Sequence, residues 1–390
     1  MTTSLPFSDA DRALIIALRR DLHRNPELSW KEVQTQIRLE RALRECGVTD
    51  IRHVATTGLV GRVPGTGGGA TVAIRGDIDA LPITEETGLP YASENPGVMH
   101  ACGHDMHASW AVGAALLLTR NPAAGDVVIV LQPAEELGKG ARAMIDAGAV
   151  DGVKAIFGGH VDRRFDVGQV VAQAGPVAAS TDTFRISLRG RGGHGARPHI
   201  SIDPIVGAGA LILALQTIVS RRLDPASPGV LSIGAIHGGN AANVIPDVVD
   251  LAGTVRTTTE SARTLILAEL ERLTNAVAAA HGVVATVQVS RGTPPLVNGD
   301  DAAGWAASAV RGVLGDDAVR PLGITNMGGE DFSYYLERMT GCFMRIGSRE
   351  PGGLPLDVHT ATFAPAEDAL FTASAVLAQC ARIASSELSS

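Results

Sequence analysis

The sequence predicts an α/β protein with a mainly parallel sheet covered by helices, interrupted by an inserted α+β unit of ferredoxin-like order. Three observations carry this prediction. Strand-like and helix-like stretches alternate up to about residue 180, as in a parallel sheet joined by helical crossovers. From Asp182 the order becomes strand, helix, strand, strand, helix, strand. From Leu296 the character of the first part returns. The expected division is 1–180 with 293–390 as one domain and 181–292 as the insert. A chain of 390 residues is long for one core and suits two.

The elements follow in order. Ser8 can cap a helix running to about His23, and Asn25-Pro26 stops it. A second amphipathic helix is expected over 31–46, with Gly47 as its stop. Residues 59–63 and 71–74 read as strands, the second ending in Arg75-Gly76-Asp77-Ile78-Asp79. A helix over about 108–119 precedes the apolar strand 126–131, which runs into Gln132-Pro133-Ala134-Glu135-Glu136. A helix ending near Gly148 and a short strand, 155–157, lead to Gly158-Gly159-His160. In the insert, strands are expected at 182–189, 230–236, 247–256 and 283–289, with helices over 204–219 and 260–281. A strand near 342–346 and a helix over about 366–384 close the chain, and the polar tail, 385–390, is expected to fray.

Composition narrows the function classes. The hydrophobic fraction of 45% and charged fraction of 19% are those of a folded globular protein. A formal net charge of -8 argues against a nucleic-acid partner. No run of about 18 apolar residues exists to span a bilayer. Asp9, Asp11 and Arg12 stand where an export signal would need an apolar core. Cys46, Cys102, Cys342 and Cys380 lack the spacing of a disulfide framework. The expected compartment is the cytoplasm.

The chemistry concentrates in Met99–Ser109, which places Cys102, His104, Asp105 and His107 within six residues. Thiolate, imidazole and carboxylate are the ligands of metals such as zinc. Taken alone, the cluster could also be polar loop residues. Asp77 and Asp79 at a strand end could be a site or an Asp-rich turn, and Glu135-Glu136 a site or a solvated helix start. His359, alone, reads as a surface histidine.

These stretches together resemble a known family: the metal-dependent aminoacylases, hippurate hydrolases and indole-acetyl-amino-acid hydrolases, related to carboxypeptidase G. The resemblance also rests on 21–29 (Asp-Leu-His-Arg-Asn-Pro-Glu-Leu-Ser), Gly193-His194 with Pro198-His199, 243–247 (Asn-Val-Ile-Pro-Asp) and 328–332 (Gly-Gly-Glu-Asp-Phe). It implies a zinc-peptidase-like catalytic domain, with the insert as a lid and homodimerisation domain. It implies two divalent metal ions per subunit, zinc first, with manganese, cobalt or nickel also compatible. The implied ligands are Cys102, His104, Glu136, His160 and His359, with Cys102 bridging. Glu135 is implied as general base, with Asp77 and Asp79 orienting the ligands. His194 is implied to reach the partner's site and stabilise the oxyanion, and Asn243 and Arg256 to bind substrate. His100, His107, His199 and His237 receive no role.

The implied activity is hydrolysis of the amide bond of N-acyl amino acids. The alternative is a dipeptidase or carboxypeptidase of the same clan, and the Cys102-x-His104 spacing favours the amidohydrolase. A catalytically silent binding protein would be expected to lack Glu135 or a ligand. A structural zinc protein would be expected to close its site with four ligands and carry no glutamate base.

Overall fold

The computed structural model describes residues 5–389. The chain forms two compact units. One comprises the chain up to Gly175, Asn298–Ile324 and the chain from Asp331 on; the other comprises Pro176–Val297 and Thr325–Glu330.

The first unit is built on a seven-stranded sheet. Its order is Asp50–Val54, Gly58–Val63, Val127–Gln132, Val72–Asp77, Ala155–Asp166, Thr340–Arg349, Val170–Val171. The four strands from Val127–Gln132 to Thr340–Arg349 are mutually parallel, and the outer strands pair antiparallel. The central strands Val72–Asp77 and Val127–Gln132 are buried at every position, which is why they read as continuous apolar runs. Parallel neighbours need crossovers. The helix His104–Arg120 joins Val72–Asp77 to Val127–Gln132, and Gly140–Asp146 joins Val127–Gln132 to Ala155–Asp166. His104–Arg120 and Ala369–Glu387 share a core with Ile15, Leu22, Ile74, Ile129 and Phe371. Alanines on both helices permit close approach, and Ser374 Oγ donates to the Trp110 carbonyl at 3.0 Å.

Several sequence expectations need correction here. The helix expected from residue 108 begins at His104. Gly103, in the left-handed region at φ +85, turns the chain there, and Asp105 in the first turn suits the helix dipole. The short strand at 155–157 extends to Asp166, so His160 lies within it. The tail is not frayed through its described part. The closing helix runs to Glu387, and Ser385 is buried, its Oγ donating to the Ala70 carbonyl at 2.8 Å. Ser390 lies outside the described residues.

The second unit is a four-stranded antiparallel sheet in the order Gly229–His237, Val248–Thr257, Asp182–Arg189, Val284–Arg291. The helices Pro204–Thr217 and Glu260–Ala280 cover one face, giving the ferredoxin-like βαββαβ order. Asp182–Arg189 alternates strictly, with Phe184, Ile186 and Leu188 turned into the core. Asp203 caps one helix and Thr259 the other.

The segment Pro204–Arg222 passes, by length and composition alone, for a helix apolar enough to cross a membrane, a test that a core helix also meets. Its place in the fold gives another reason for that composition: Ala208, Leu211, Leu215 and Ile218 pack against the sheet. Its outer face keeps Ile205, Val206 and Leu213 exposed.

Candidate metal centre

The centre is assembled at the ends of the parallel strands of the first unit, where α/β sheets place their sites. Asp79 follows the Val72–Asp77 strand and is almost fully buried. Its Oδ1 faces His104 Nδ1 and accepts from the Glu135 N–H, both at 3.1 Å. Its Oδ2 accepts from Ser29 Oγ at 2.7 Å and from the Glu136 N–H at 3.1 Å. One carboxylate thus fixes the ring of His104 and the backbone of both glutamates. Ala134 at φ +51 sets the turn that presents them.

Held through Nδ1, His104 presents Nε2 to the centre, 3.8 Å from Glu136 Oε1 and 3.9 Å from Glu135 Oε2. Cys102 Sγ lies 3.3 Å from His160 Nε2 and 3.3 Å from His359 Nε2. His160 Nδ1 donates to the Val161 carbonyl at 2.8 Å, which leaves Nε2 free to coordinate. His359 Nε2 is 3.5 Å from Glu136 Oε1, and its side chain is 50% exposed. His359 has φ +65, an uncommon backbone state for a non-glycine residue, and its N–H donates to the Ala101 carbonyl at 2.8 Å.

The structure therefore brings Cys102, His104, Glu135, Glu136, His160 and His359 together. Cys102 belongs to two groups whose donor atoms lie within 4.8 Å of one another, one with His104 and His160, the other with Glu136 and His359. Sulfur, imidazole and carboxylate donors suit zinc and similar ions. His104 Nε2 and Glu136 Oε1 are buried without a hydrogen-bond partner. Such atoms are costly unless a cation or other partner satisfies them, so the residues fit a metal.

The electrostatics follow from burial and crowding. Burial, with the Glu136 carboxylate, pushes the Cys102 thiol well up. Burial opposes a charged His104, but the Asp77 carboxylate, with Asp79 on its Nδ1, holds its pKa well up. Asp77 is held well down, against burial, by Arg75, His104 and His107. Asp79 is likewise lowered, chiefly by His104 against burial.

Sequence reasoning gave His107 no role. The structure sets its Nδ1 2.6 Å from Asp77 Oδ1, with Nε2 accepting from the Val161 N–H at 3.1 Å. The available signal was its spacing of three from His104, one helical turn. Arg75 ties Asp77 to Gln132 at 2.9 Å and Asp331 at 3.0 Å, and the Asp331 N–H donates to Glu135 Oε1 at 3.3 Å. Behind the helix start, Asp105 Oδ2 meets Arg19 Nε and His23 Nδ1, each at 2.8 Å, and His23 Nε2 meets Glu85 at 3.2 Å.

The remaining candidates lie in the second unit. His194 is exposed in the two-residue strand Gly193–His194, opposite Val244. Its Nδ1 accepts from the Ala196 N–H at 3.1 Å, and the adjoining Gly195 N–H donates to the Asn243 carbonyl at 2.8 Å. His194 and Asn243 are therefore neighbours. Arg256 is half-buried near the other end of Val248–Thr257, opposite Val230. From Val248 to Arg256 the strand rises roughly 26 Å at about 3.3 Å per residue. The unit does not bring Arg256 to Asn243.

Residues 73–383 match the family model described as peptidase family M20/M25/M40. The chain is 40% identical over 377 residues to N-acetyl-L-cysteine deacetylase of Bacillus subtilis (strain 168), covering 94% of this chain and 87% of that relative. It is 36% identical over 373 residues to IAA-amino acid hydrolase ILR1-like 2 of Arabidopsis thaliana, covering 94% and 84%. Among solved structures it resembles the Bacillus subtilis YXEP protein, a dinuclear metal binding peptidase of the M20 family. The TM-score is 0.86 at 36% identity, covering 97% of this chain and 99% of the other. With its fold, its clustered donors and these matches in agreement, the chain belongs to peptidase family M20/M25/M40.

Proposed function

We propose that this chain is a metal-dependent amidohydrolase that cleaves N-acyl amino acids into a carboxylate and a free amino acid. The observation that carries the reading is the contact of Cys102 Sγ with His160 Nε2 and His359 Nε2 beside the Glu135-Glu136 pair. The names of the Bacillus and Arabidopsis relatives support the substrate class.

Cys102, His104, Glu136, His160 and His359 would hold two divalent ions. Cys102, which belongs to both donor groups, would help to hold either ion. Zinc is the first choice for this donor set, with manganese, cobalt and nickel compatible. Bound ions supply a nucleophilic water at neutral pH and polarise the scissile carbonyl. Glu135, the carboxylate not assigned to coordination, takes the proton from the attacking water and returns it to the leaving amine. Asp79 holds His104 and both glutamates in place, and Asp77 is steadied by His107 and Arg75.

His194 supplies a hydrogen-bond donor for the oxyanion. Its Nδ1 is an acceptor, so the neutral ring carries its proton on Nε2. Asn243 binds the substrate backbone, and the Arg256 fork binds its α-carboxylate. An N-acyl amino acid is far shorter than the strand separating Arg256 from His194 and Asn243, which supports a homodimer whose two copies each contribute one end. The insert mediates that dimer and closes over substrate as a lid. The exposed Ile205, Val206 and Leu213 suit such an interface. Four free, buried cysteines suit a reducing cytoplasm.

The test is hydrolysis of a panel of acetyl, benzoyl, indole-acetyl and long-chain N-acyl amino acids, with unblocked dipeptides as comparison. Metal content and particle mass are measured on the same preparation. Cleavage of N-acyl substrates at two metals per chain in a dimer is expected. A clear preference for dipeptides would replace the reading with the peptidase alternative. Metal binding without cleavage of any compound would reopen the assignment as an enzyme.

A further inference from the structure

His359 presents a physical problem. It lies on a stretch, 350–368, that contains no helix or strand, its side chain is half exposed, and its backbone has φ +65. A metal ligand in such a place needs something to hold it. Phe363 is buried in the core, the Ala361 carbonyl accepts from the Glu86 N–H at 2.8 Å, and the Ala366 N–H donates to the Ser348 carbonyl at 2.9 Å. These contacts secure the part of the stretch after His359. The part before it passes through Leu354, which is 70% exposed.

Arg163 meets both parts. It lies on the Ala155–Asp166 strand, three residues beyond His160, and its side chain is only 5% exposed. Nε and Nη2 donate to the Leu354 carbonyl at 3.3 and 3.1 Å, and Nη1 donates to the Ala364 carbonyl. Nη2 also pairs with Glu350 Oε2 at 3.0 Å. One planar fork therefore brackets His359, gripping the chain before and after it. A buried guanidinium is costly unless its donors are used, and here they are used on this stretch. A lysine ammonium, a point charge on a flexible stem, cannot reproduce that two-sided grip.

We propose that Arg163 is a positioning residue that clamps the 350–364 stretch and so sets the affinity of the metal position served by His359. The inference rests on the assignment of His359 as a ligand. Because His160 and Arg163 share a strand, the clamp also joins the stretch to the strand that carries the other histidine facing Cys102.

The experiment titrates zinc against a competing chelator in wild type, His359→Ala, Arg163→Met and Arg163→Lys, and follows proteolysis within 350–364. Loss of one tight site is expected in His359→Ala. In Arg163→Met the same single site should weaken about 10- to 100-fold. The other site should stay within about 2-fold of wild type. Arg163→Lys should fall between, and cleavage within 350–364 should rise in the same order. If Arg163→Met does not fold, Arg163→Lys carries the comparison. Retention of both wild-type affinities in the Arg163 variants, while His359→Ala loses a site, would overturn the clamp alone. Equal weakening of both sites would overturn it as well, showing general destabilisation. Two tight sites in His359→Ala would overturn the ligand assignment and the clamp with it.

Discussion

His359 Nε2 and Cys102 Sγ lie 3.3 Å apart, although 257 positions separate them in the chain. The contact joins the irregular stretch before the last helix to the loop that begins the His104–Arg120 helix. A thiol and an imidazole at that separation make a weak hydrogen bond at best. With Glu136 and His160 facing the same sulfur and ring, they form a donor set whose natural partner is a cation. Removing metal should therefore remove stability. Ions present at about 100 times their dissociation constant should add about 2.7 kcal/mol per site. Thermal unfolding with and without chelator would measure the shift, and identical melting curves would contradict a metal centre.

Glu135→Gln should lower kcat by about 100- to 10,000-fold while leaving metal content at the wild-type value. The amide keeps the size and the backbone bonds to Asp79 but cannot accept the proton. Metal analysis beside the assay separates this outcome from loss of a ligand. Activity within a few-fold of wild type would remove Glu135 as the base.

Asp79→Asn should weaken metal binding about 10- to 100-fold. Both Asp79 oxygens accept hydrogen bonds, Oδ1 from His104 and the Glu135 N–H, Oδ2 from Ser29 and the Glu136 N–H. An asparagine NH2 must face one of these pairs of donors, whichever way the amide is turned. The cost to stability should be about 1–3 kcal/mol. Chelator competition and urea unfolding would read the two effects separately, and unchanged metal affinity would show that His104 does not depend on this carboxylate.

What could be read from the sequence was chemistry packed into short stretches. Cys102 and His104, the glutamate pair and the Asp77–Asp79 turn stand out because their types and spacing are unusual. The central strands were legible because burial on both faces leaves unbroken apolar runs. Asp50–Val54 was not, because this edge strand has no fully buried side chain and so no pattern. Residues that work through distant backbone atoms left no signal. Arg163 meets carbonyls 191 and 201 positions away, and nothing in the sequence around it distinguishes it from Arg164. The start of the His104 helix was misjudged because His and Asp read as loop residues, whereas Gly103 supplies the turn and Asp105 an anionic first turn.

His23 gives a pH prediction. Burial opposes a charged ring, but the Asp105 carboxylate, with Glu85 on the other nitrogen, outweighs it and raises the pKa above 6.5. A raised folded-state pKa stabilises the fold fully below the unfolded value of about 6.5, and the contribution is lost as pH rises through the folded value. It amounts to about 1.4 kcal/mol for each unit by which the folded value exceeds the unfolded one. The stability lost in His23→Gln should therefore be greatest near pH 6 and shrink as pH rises. Urea unfolding of metal-free wild type and variant between pH 5.5 and 9.5 would show it, and a difference growing with pH would reverse the assignment.

Gly76 tests how tightly the centre is coupled to the sheet. A Cβ at this position would lie 2.4 Å from the His107 carbonyl oxygen, a backbone atom that cannot turn aside. Gly76→Ala must therefore push the first turns of the His104–Arg120 helix away from the Val72–Asp77 strand. The strain should cost about 1–3 kcal/mol. Because His104 and Asp77 lie on the elements forced apart, and Asp79 follows the strand, metal affinity and kcat should fall along with stability. Gly304, within the Asp300–Leu314 helix, is the contrasting position, since a Cβ there meets nothing within 4 Å. Gly304→Ala should stabilise by about 0.5–1 kcal/mol, the ordinary helix preference for alanine, and leave metal affinity and kcat unchanged. Denaturant unfolding and metal titration of the two variants side by side would decide the matter. A Gly76→Ala protein with wild-type metal affinity would mean that the centre tolerates separation of the helix from the sheet beneath it.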